Sequence, residues 1–152
     1  MYIMFFFYQL LTLFSIPFLF FYFLFRKFKG KTVFGNIKER LGFVPLLKVE
    51  QERPMIWIHA VSVGEVLSIQ YFIEKLRHKN PGAKICVTTG TATGKKMAEK
   101  NLNTDVVSFL PFDFLLPQLL LFRRWKPSVL FIMEAETWPN MLMLAKMHSL
   151  PI

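Results

Sequence analysis

Apolar and polar positions change their period three times along the chain. From Ile3 to Phe25 the residues are apolar with only Gln9, Thr12, Ser15 and Pro17 between them. A helix over this stretch would be about 35 Å long, enough to cross a bilayer core. Over 31–47 a short amphipathic pattern sets Ile37, Leu41 and Phe43 against Lys38 and Arg40, and predicts a helix ending at Gly42. Residues 48–54 are charged and end in Pro54, which reads as a linker. From residue 55 short apolar runs alternate with helical spacing. Strands are predicted at 55–60, 84–89, 106–110 and 129–133, and helices at 65–79, 95–101, 114–125 and 138–148. Pro81-Gly82 turns the chain, 90–94 is a loop, and Thr137 caps the last helix with Pro139 in its first turn. Leu150-Pro151-Ile152 reads as the lead-in to a further strand. Strands alternating with helices predict an α/β fold with a parallel sheet and right-handed crossovers. The expected organisation is a membrane anchor at 1–25, a basic amphipathic segment and linker at 26–54, and an α/β domain at 55–152.

Charge sharpens the first part of this picture. The 152 residues carry a net charge of +9, and residues 1–25 carry none of it. Arg26, Lys27, Lys29, Lys31, Lys38, Arg40 and Lys48 stand against Glu39 alone in 26–48. A cleaved signal peptide would place its charges before the apolar run and a small-residue site after it; here the charges follow. An uncleaved anchor fits better, and positive residues after it place residue 26 onward in the cytoplasm. An interfacial helix would need a polar face, which this segment lacks. The basic band suits anionic lipid headgroups, and without aromatic and basic interleaving it offers no nucleic-acid platform. The single cysteine, Cys86, lies in an apolar run and reads as a core thiol.

Three stretches could carry chemistry. In Ile56-Trp57-Ile58-His59-Ala60-Val61-Ser62-Val63-Gly64-Glu65-Val66, a strand gives way to a helix through a tight turn. Ligands of open α/β sheets sit at the carboxyl ends of strands, so Glu65 is placed at a mouth, with Gly64 allowing close approach to the backbone. The same residues also spell a capping box, Ser62-x-x-Glu65, whose purpose is to satisfy a helix start. Gly90-Thr91-Ala92-Thr93-Gly94-Lys95-Lys96 lacks the spacing of a phosphate loop. It remains a turn able to offer amides or the hydroxyls of Thr91 and Thr93, or simply a loop and cap. In Met133-Glu134-Ala135-Glu136-Thr137-Trp138-Pro139-Asn140, extended backbone would point Glu134 and Glu136 to one side, where neighbouring carboxylates separate in pKa. Alternatively Glu136 only favours the positive end of the next helix. His59, His78 and His148 are too scattered for a metal site, and a structural role is expected for His59.

Together these stretches, with Leu110-Pro111-Phe112-Asp113 and Lys38-Glu39-Arg40-Leu41-Gly42-Phe43, resemble the 3-deoxy-D-manno-octulosonic acid (Kdo) transferases of lipopolysaccharide assembly. The resemblance covers essentially the whole chain. It implies the amino-terminal, acceptor-binding domain of a GT-B glycosyltransferase: a Rossmann-like parallel sheet preceded by a transmembrane helix. The family is inverting and metal-independent, and needs no cofactor beyond its donor substrate, CMP-Kdo, which a carboxy-terminal domain binds. By this resemblance Glu65 is the general base that takes a proton from a lipid A precursor hydroxyl. Ser62, Gly64, Thr91, Thr93, Glu134 and Glu136 would shape the acceptor site. The implied location is the bacterial inner membrane, with the soluble domain on its cytoplasmic face. Ala135 and Thr137 depart from the family pattern. The chain ends before any donor domain, so it is expected to be the acceptor half and inactive alone. A non-catalytic membrane-anchored module and another GT-B transferase acting on a lipid-linked sugar are the alternatives.

Overall fold

The computed structural model describes residues 2–28, 36–47, 53–134 and 137–152. Glu136 and Ala135 lie outside the described residues, as do 29–35 and 48–52, where part of the basic band falls. The chain divides into two compact units, 1–37 and 38–152.

The first unit contains the helix α1 (Tyr2–Phe28). Thr12 Oγ1 donates to the Gln9 carbonyl at 2.9 Å and Ser15 Oγ to the Thr12 carbonyl at 2.7 Å, so both hydroxyls fold back onto the helix. Phe6, Leu11, Phe14, Phe18 and Phe21 are exposed. The bilayer-crossing expectation is corrected here: among the described residues no helix is long and apolar enough to cross a membrane. Gln9, Thr12, Ser15 and Pro17 break the apolar run.

The division falls within α2 (Ile37–Arg40), a single turn; residues 31–35 of the helix predicted there lie outside the described residues. Gly42 ends it with φ +89, and a side chain there would meet the Pro117 carbonyl at 2.3 Å. Only glycine fits this left-handed close approach. Then follow β1 (Met55–His59), α3 (Val63–Ser68), α4 (Gln70–Lys79), β2 (Lys84–Thr89), α5 (Ala92–Asn101), β3 (Val106–Phe109), α6 (Leu115–Trp125), β4 (Val129–Ile132) and α7 (Pro139–Met147). The predicted helix 65–79 is thus two helices meeting at Ile69. Ser68 Oγ donates to the Glu65 carbonyl at 2.7 Å, which also takes the Ile69 amide at 3.2 Å.

All strand pairs are parallel, in the order β3-β2-β1-β4. Successive β1 residues face opposite sides, as a strand requires. Trp57 enters one core with Cys86, Leu121, Trp125, Leu130, Met141 and Leu144. Ile56 and Ile58 enter the other with Val66, Ile69, Ile73, Ile85 and Val87. Helices α3 to α5 therefore cover one face and α6 and α7 the other, which is the doubly wound arrangement. Trp57 is fully buried, edge-on to Phe122 at 5.5 Å and to Trp125 at 6.1 Å. Leu130 N–H donates to the Pro151 carbonyl at 2.9 Å, so the predicted lead-in at 150–152 runs beside β4.

This topology fixes where a ligand belongs. Strands β1 and β4 are neighbours, but β1 is followed by a helix on one face and β4 by a helix on the other. The two loops diverge and leave a crevice at the carboxyl ends of β1 and β4, the switch point where open α/β sheets bind ligands.

Candidate functional site

Ser62 starts α3. Its extended backbone, φ −105 and ψ 169, and its hydroxyl, which accepts the Glu65 amide at 3.3 Å, make it the N-cap. Glu65 reaches back in return: Val61 N–H donates to Oε2 at 2.7 Å and Ser62 N–H to Oε1 at 3.0 Å. The capping box read from the sequence is therefore present in full. Glu65 is buried, with 8 % of its surface exposed. Burial pushes its pKa upward, but the Ser62 side chain, the Val61 and Ser62 amides and His59 together hold it below the ordinary carboxylate value. The group is ionised at neutral pH, and a second lone pair on each oxygen stays available. Gly64 is exposed, and a side chain there would meet nothing nearer than Ser62 Oγ at 3.9 Å.

The glycine loop after β2 has a different use. A side chain on Gly90 would strike Val61 Cγ1 at 2.5 Å, and one on Gly94 would approach Thr91 Oγ1 at 2.9 Å. The loop packs against the β1 turn: Gly90 N–H donates to the Val61 carbonyl at 3.2 Å and Thr91 Oγ1 to the same carbonyl at 3.3 Å. Thr91 also caps α5 by accepting the Gly94 amide at 3.0 Å, so α5 starts three residues earlier than predicted. Of the two readings of this loop, the packing and capping one describes Thr91. Thr93 is exposed, with its hydroxyl 3.4 Å from Thr91 Oγ1.

On the other side of the crevice, Met133 N–H donates to the His59 carbonyl at 2.9 Å, continuing the β1–β4 pairing past its last rung. Glu134 follows with φ +62 and is exposed. The expectation of extended backbone at Glu134 is thereby corrected; alternation cannot set its side relative to Glu136, which lies outside the described residues. A left-handed glutamate stores strain of about 1 kcal/mol or more, and such residues cluster at functional sites. Thr137 is not the cap of α7. Trp138 occupies that position without a side-chain bond, and Asp113 caps the helix from the loop after β3, accepting the Asn140 amide at 3.1 Å and the Met141 amide at 3.2 Å. Asn140 Nδ2 donates to the Asp113 carbonyl at 2.6 Å, so two of the sequence stretches are bolted together.

His59 ends β1 with no exposed surface. Burial lowers its pKa from 6.5 to about 4, so the ring is neutral. Its Nδ1 lies 2.9 Å from Thr88 Oγ1. The expected satisfied structural histidine is therefore half correct, because Nε2 has no hydrogen-bond partner among the described residues. Beneath the β2 and β3 mouths, Lys95 reaches both oxygens of buried Glu39 at 2.7 and 2.8 Å, and Phe109 N–H donates to Glu39 Oε2 at 2.8 Å. Arg40 donates to the Leu110 carbonyl at 3.1 Å and to the Gly90 carbonyl, and lies 4.4 Å over the Phe109 ring. Sequence pattern placed Lys38 and Arg40 on a polar face; Glu39 and Arg40 instead pin the glycine loop, a long-range role that periodicity does not encode. Among the described residues no three His, Cys, Asp or Glu side chains gather to hold a metal ion.

Residues 35–152 match the family described as 3-deoxy-D-manno-octulosonic-acid transferase (kdotransferase). The chain is 30% identical over 128 residues to a probable mitochondrial 3-deoxy-D-manno-octulosonic acid transferase of Arabidopsis thaliana, covering 84% of this chain and 28% of that protein. It is 32% identical over 119 residues to the 3-deoxy-D-manno-octulosonic acid transferase of Chlamydia pneumoniae, covering 75% of this chain and 27% of that protein. The Bordetella pertussis 3-deoxy-D-manno-octulosonic acid transferase is 30% identical over 103 residues, 64% of this chain and 24% of its own length. The chain thus spans roughly a quarter of the length of these curated relatives. No solved structure matches it.

Proposed function

The chain belongs to the 3-deoxy-D-manno-octulosonic-acid transferase family, and on that premise we propose that it forms the acceptor-binding part of a transferase that passes Kdo from CMP-Kdo to a lipid A precursor. The observation that carries this reading is the position of Glu65: ionised, fixed by two amides, and set on the first turn after β1 at the switch-point crevice. In the proposed reaction a precursor hydroxyl gives its proton to Glu65 as its oxygen attacks the anomeric carbon of Kdo, and CMP leaves. Two fixed amides hold the carboxylate in one orientation, so no ordering remains for the moment of reaction. Open space at Gly64 supports close approach of the sugar, with Ser62 at its side. Glu134, and Glu136 beyond the described residues, would border the acceptor on the β4 side; Thr93, and Thr91 less so, would face it from the glycine loop. The donor, with its leaving phosphate, would be held by a further domain. The exposed apolar side chains of α1 and the basic residues that follow it in the sequence would suit a surface of anionic lipid, where such an acceptor resides, and the implied setting is the cytoplasmic side of a bacterial inner membrane.

The complete capping box favours a second reading, in which Glu65 serves the fold alone and the chain is a non-catalytic binding module. The size of the native polypeptide and a Glu65→Ala exchange in it separate the two. A polypeptide several times this length, whose transfer to lipid A precursor collapses on exchange while attachment to membranes persists, supports catalysis. Unchanged transfer would leave Glu65 a cap.

A further inference from the structure

Thr88 Oγ1 lies 2.9 Å from Trp57 Nε1 and 2.9 Å from His59 Nδ1. An indole nitrogen only donates, so Trp57 uses one lone pair of the Thr88 hydroxyl. The hydroxyl proton must then find an acceptor, and His59 Nδ1 is the one within reach. The Thr88 carbonyl, 3.2 Å from Nδ1, takes the Ala60 amide at 3.0 Å on one lone pair, and its second lone pair could serve Nδ1 only by leaving the Thr88 hydroxyl proton without an acceptor among the described residues. Proton accounting thus makes Nδ1 an acceptor and leaves the ring proton of neutral His59 on Nε2.

That Nε2–H is buried and has no partner among the described residues, and the same holds for the Trp138 indole Nε1–H. The two rings stand edge to face, their centroids 6.4 Å apart at 75°. Buried donors in native proteins are almost always satisfied. Two orphans on adjoining rings, at the carboxyl end of β1 and the entry to α7, call for an acceptor that the described protein does not supply.

We infer that His59 Nε2–H and Trp138 Nε1–H donate to a hydroxyl oxygen of a bound sugar at the floor of the β1–β4 crevice. This deepens the acceptor-site reading above and rests on it. The chemistry of the surroundings selects the ligand. Both donors are neutral, and ionised Glu65 interacts electrostatically with His59. A phosphate or carboxylate oxygen would meet that carboxylate with repulsion. A hydroxyl oxygen accepts from both donors without adding charge, and can donate its own proton onward. Water has the same chemistry and is the alternative source.

The test is proton–nitrogen correlation NMR of the full chain in detergent micelles, with methyl glucoside and inorganic phosphate as probes. The expected result is a His59 ring in the Nε2–H form, and His59 Hε2 and Trp138 Hε1 shifting together as methyl glucoside is added. The Trp125 indole, bonded to the Pro45 carbonyl, stays in place as an internal control. Trp138→Phe should weaken the glucoside response of His59 several-fold. An Nδ1–H ring, a response to phosphate alone, or contact with an internal water that glucoside never displaces overturns the inference. Its failure is separable from that of the transferase reading. Silent N–H signals beside Glu65-dependent transfer remove this inference only; responsive signals beside Glu65-independent transfer remove catalysis by Glu65 only.

Discussion

The Val61 amide donates to Glu65 Oε2 at 2.7 Å, so the residue that ends the β1 turn holds the carboxylate proposed to act as base. The same hydrogen bond is half of a helix cap, and one substitution separates the two uses. Glutamine is the other residue found at this place in capping boxes, but it presents one acceptor oxygen where glutamate presents two. Glu65→Gln is expected to fold, with about 1 kcal/mol lost, and to abolish transfer in the complete enzyme. Denaturant unfolding together with a transfer assay checks both halves. A variant that transfers normally would show that the carboxylate's charge serves only the helix start.

His59 gives the fold an acid-sensitive term. Its pKa is lowered from 6.5 to about 4 by burial. Between those values the unfolded chain binds a proton that the folded chain refuses, so stability rises with pH through this window. The contribution is complete above pH 6.5 and is lost as pH falls toward 4, a change of roughly 3 kcal/mol. Glu39, Glu65 and Asp105, whose pKa values are held below the ordinary carboxylate range, continue the loss in the same direction at lower pH. Urea midpoints at pH 7 and pH 5 should differ in His59-containing protein and converge in His59→Gln. Equal midpoints in the parent chain would show that the ring is not held neutral.

The glycines of the two loops make opposite predictions. Gly90→Ala drives a methyl group to 2.5 Å from Val61 Cγ1 and must displace the β1 turn, at a cost of about 1–3 kcal/mol. Gly64→Ala meets nothing nearer than Ser62 Oγ at 3.9 Å and lies in a helix, where alanine stabilises by about 0.5–1 kcal/mol. If a sugar approaches the backbone at Gly64, acceptor binding weakens in Gly64→Ala although the protein becomes more stable. Thermal unfolding paired with acceptor titration distinguishes these outcomes.

Most of the fold is legible in the sequence because strand burial is a local pattern. The β1 run Met55–His59 is buried at every position, and its apolar residues say so without reference to anything distant. The helix starts are less legible. Ser62 and Thr91 are visible as caps, but α3 and α5 begin at Val63 and Ala92, right after them, rather than where the apolar spacing resumes. Glu39 and Arg40 look like solvent-facing charges in a short amphipathic segment, and their partners Lys95, Phe109 and Gly90 lie some fifty to seventy residues away. Nothing in local periodicity encodes such a contact. Of the site, Ser62 and Glu65 could be read from the capping pattern. His59 could be placed at the mouth, but the missing partner of its Nε2 appears only once Thr88 and Trp57 are in position.

The Cys86 thiol is fully buried, and burial raises its pKa from 9.0 to about 12. Thiolate is the reactive form, so alkylation by iodoacetamide at mildly alkaline pH should be at least a hundredfold slower in the native chain than in urea. The residue then serves as a gauge of opening between β2 and the α6–α7 face. Fast native labelling would mean that this core opens readily.

Asp113 carries the last prediction. Helix α7 has no cap of its own: Trp138 stands at the N-cap, and Pro139 removes one amide that would need a partner. The free amides of Asn140 and Met141 are taken by Asp113 from the loop after β3. The cap therefore joins two crossovers rather than closing one helix, and its loss frees the start of α7 from α6. Asp113→Ala should cost about 1–2 kcal/mol, and Asp113→Asn should restore part of it, because an amide oxygen can still accept one of the two amides. If the cap also fixes the Trp138 ring against His59, Asp113→Ala will shift the Trp138 indole signal and leave those of Trp57 and Trp125 unmoved. An unchanged indole signal with lost stability would confine Asp113 to the helix start.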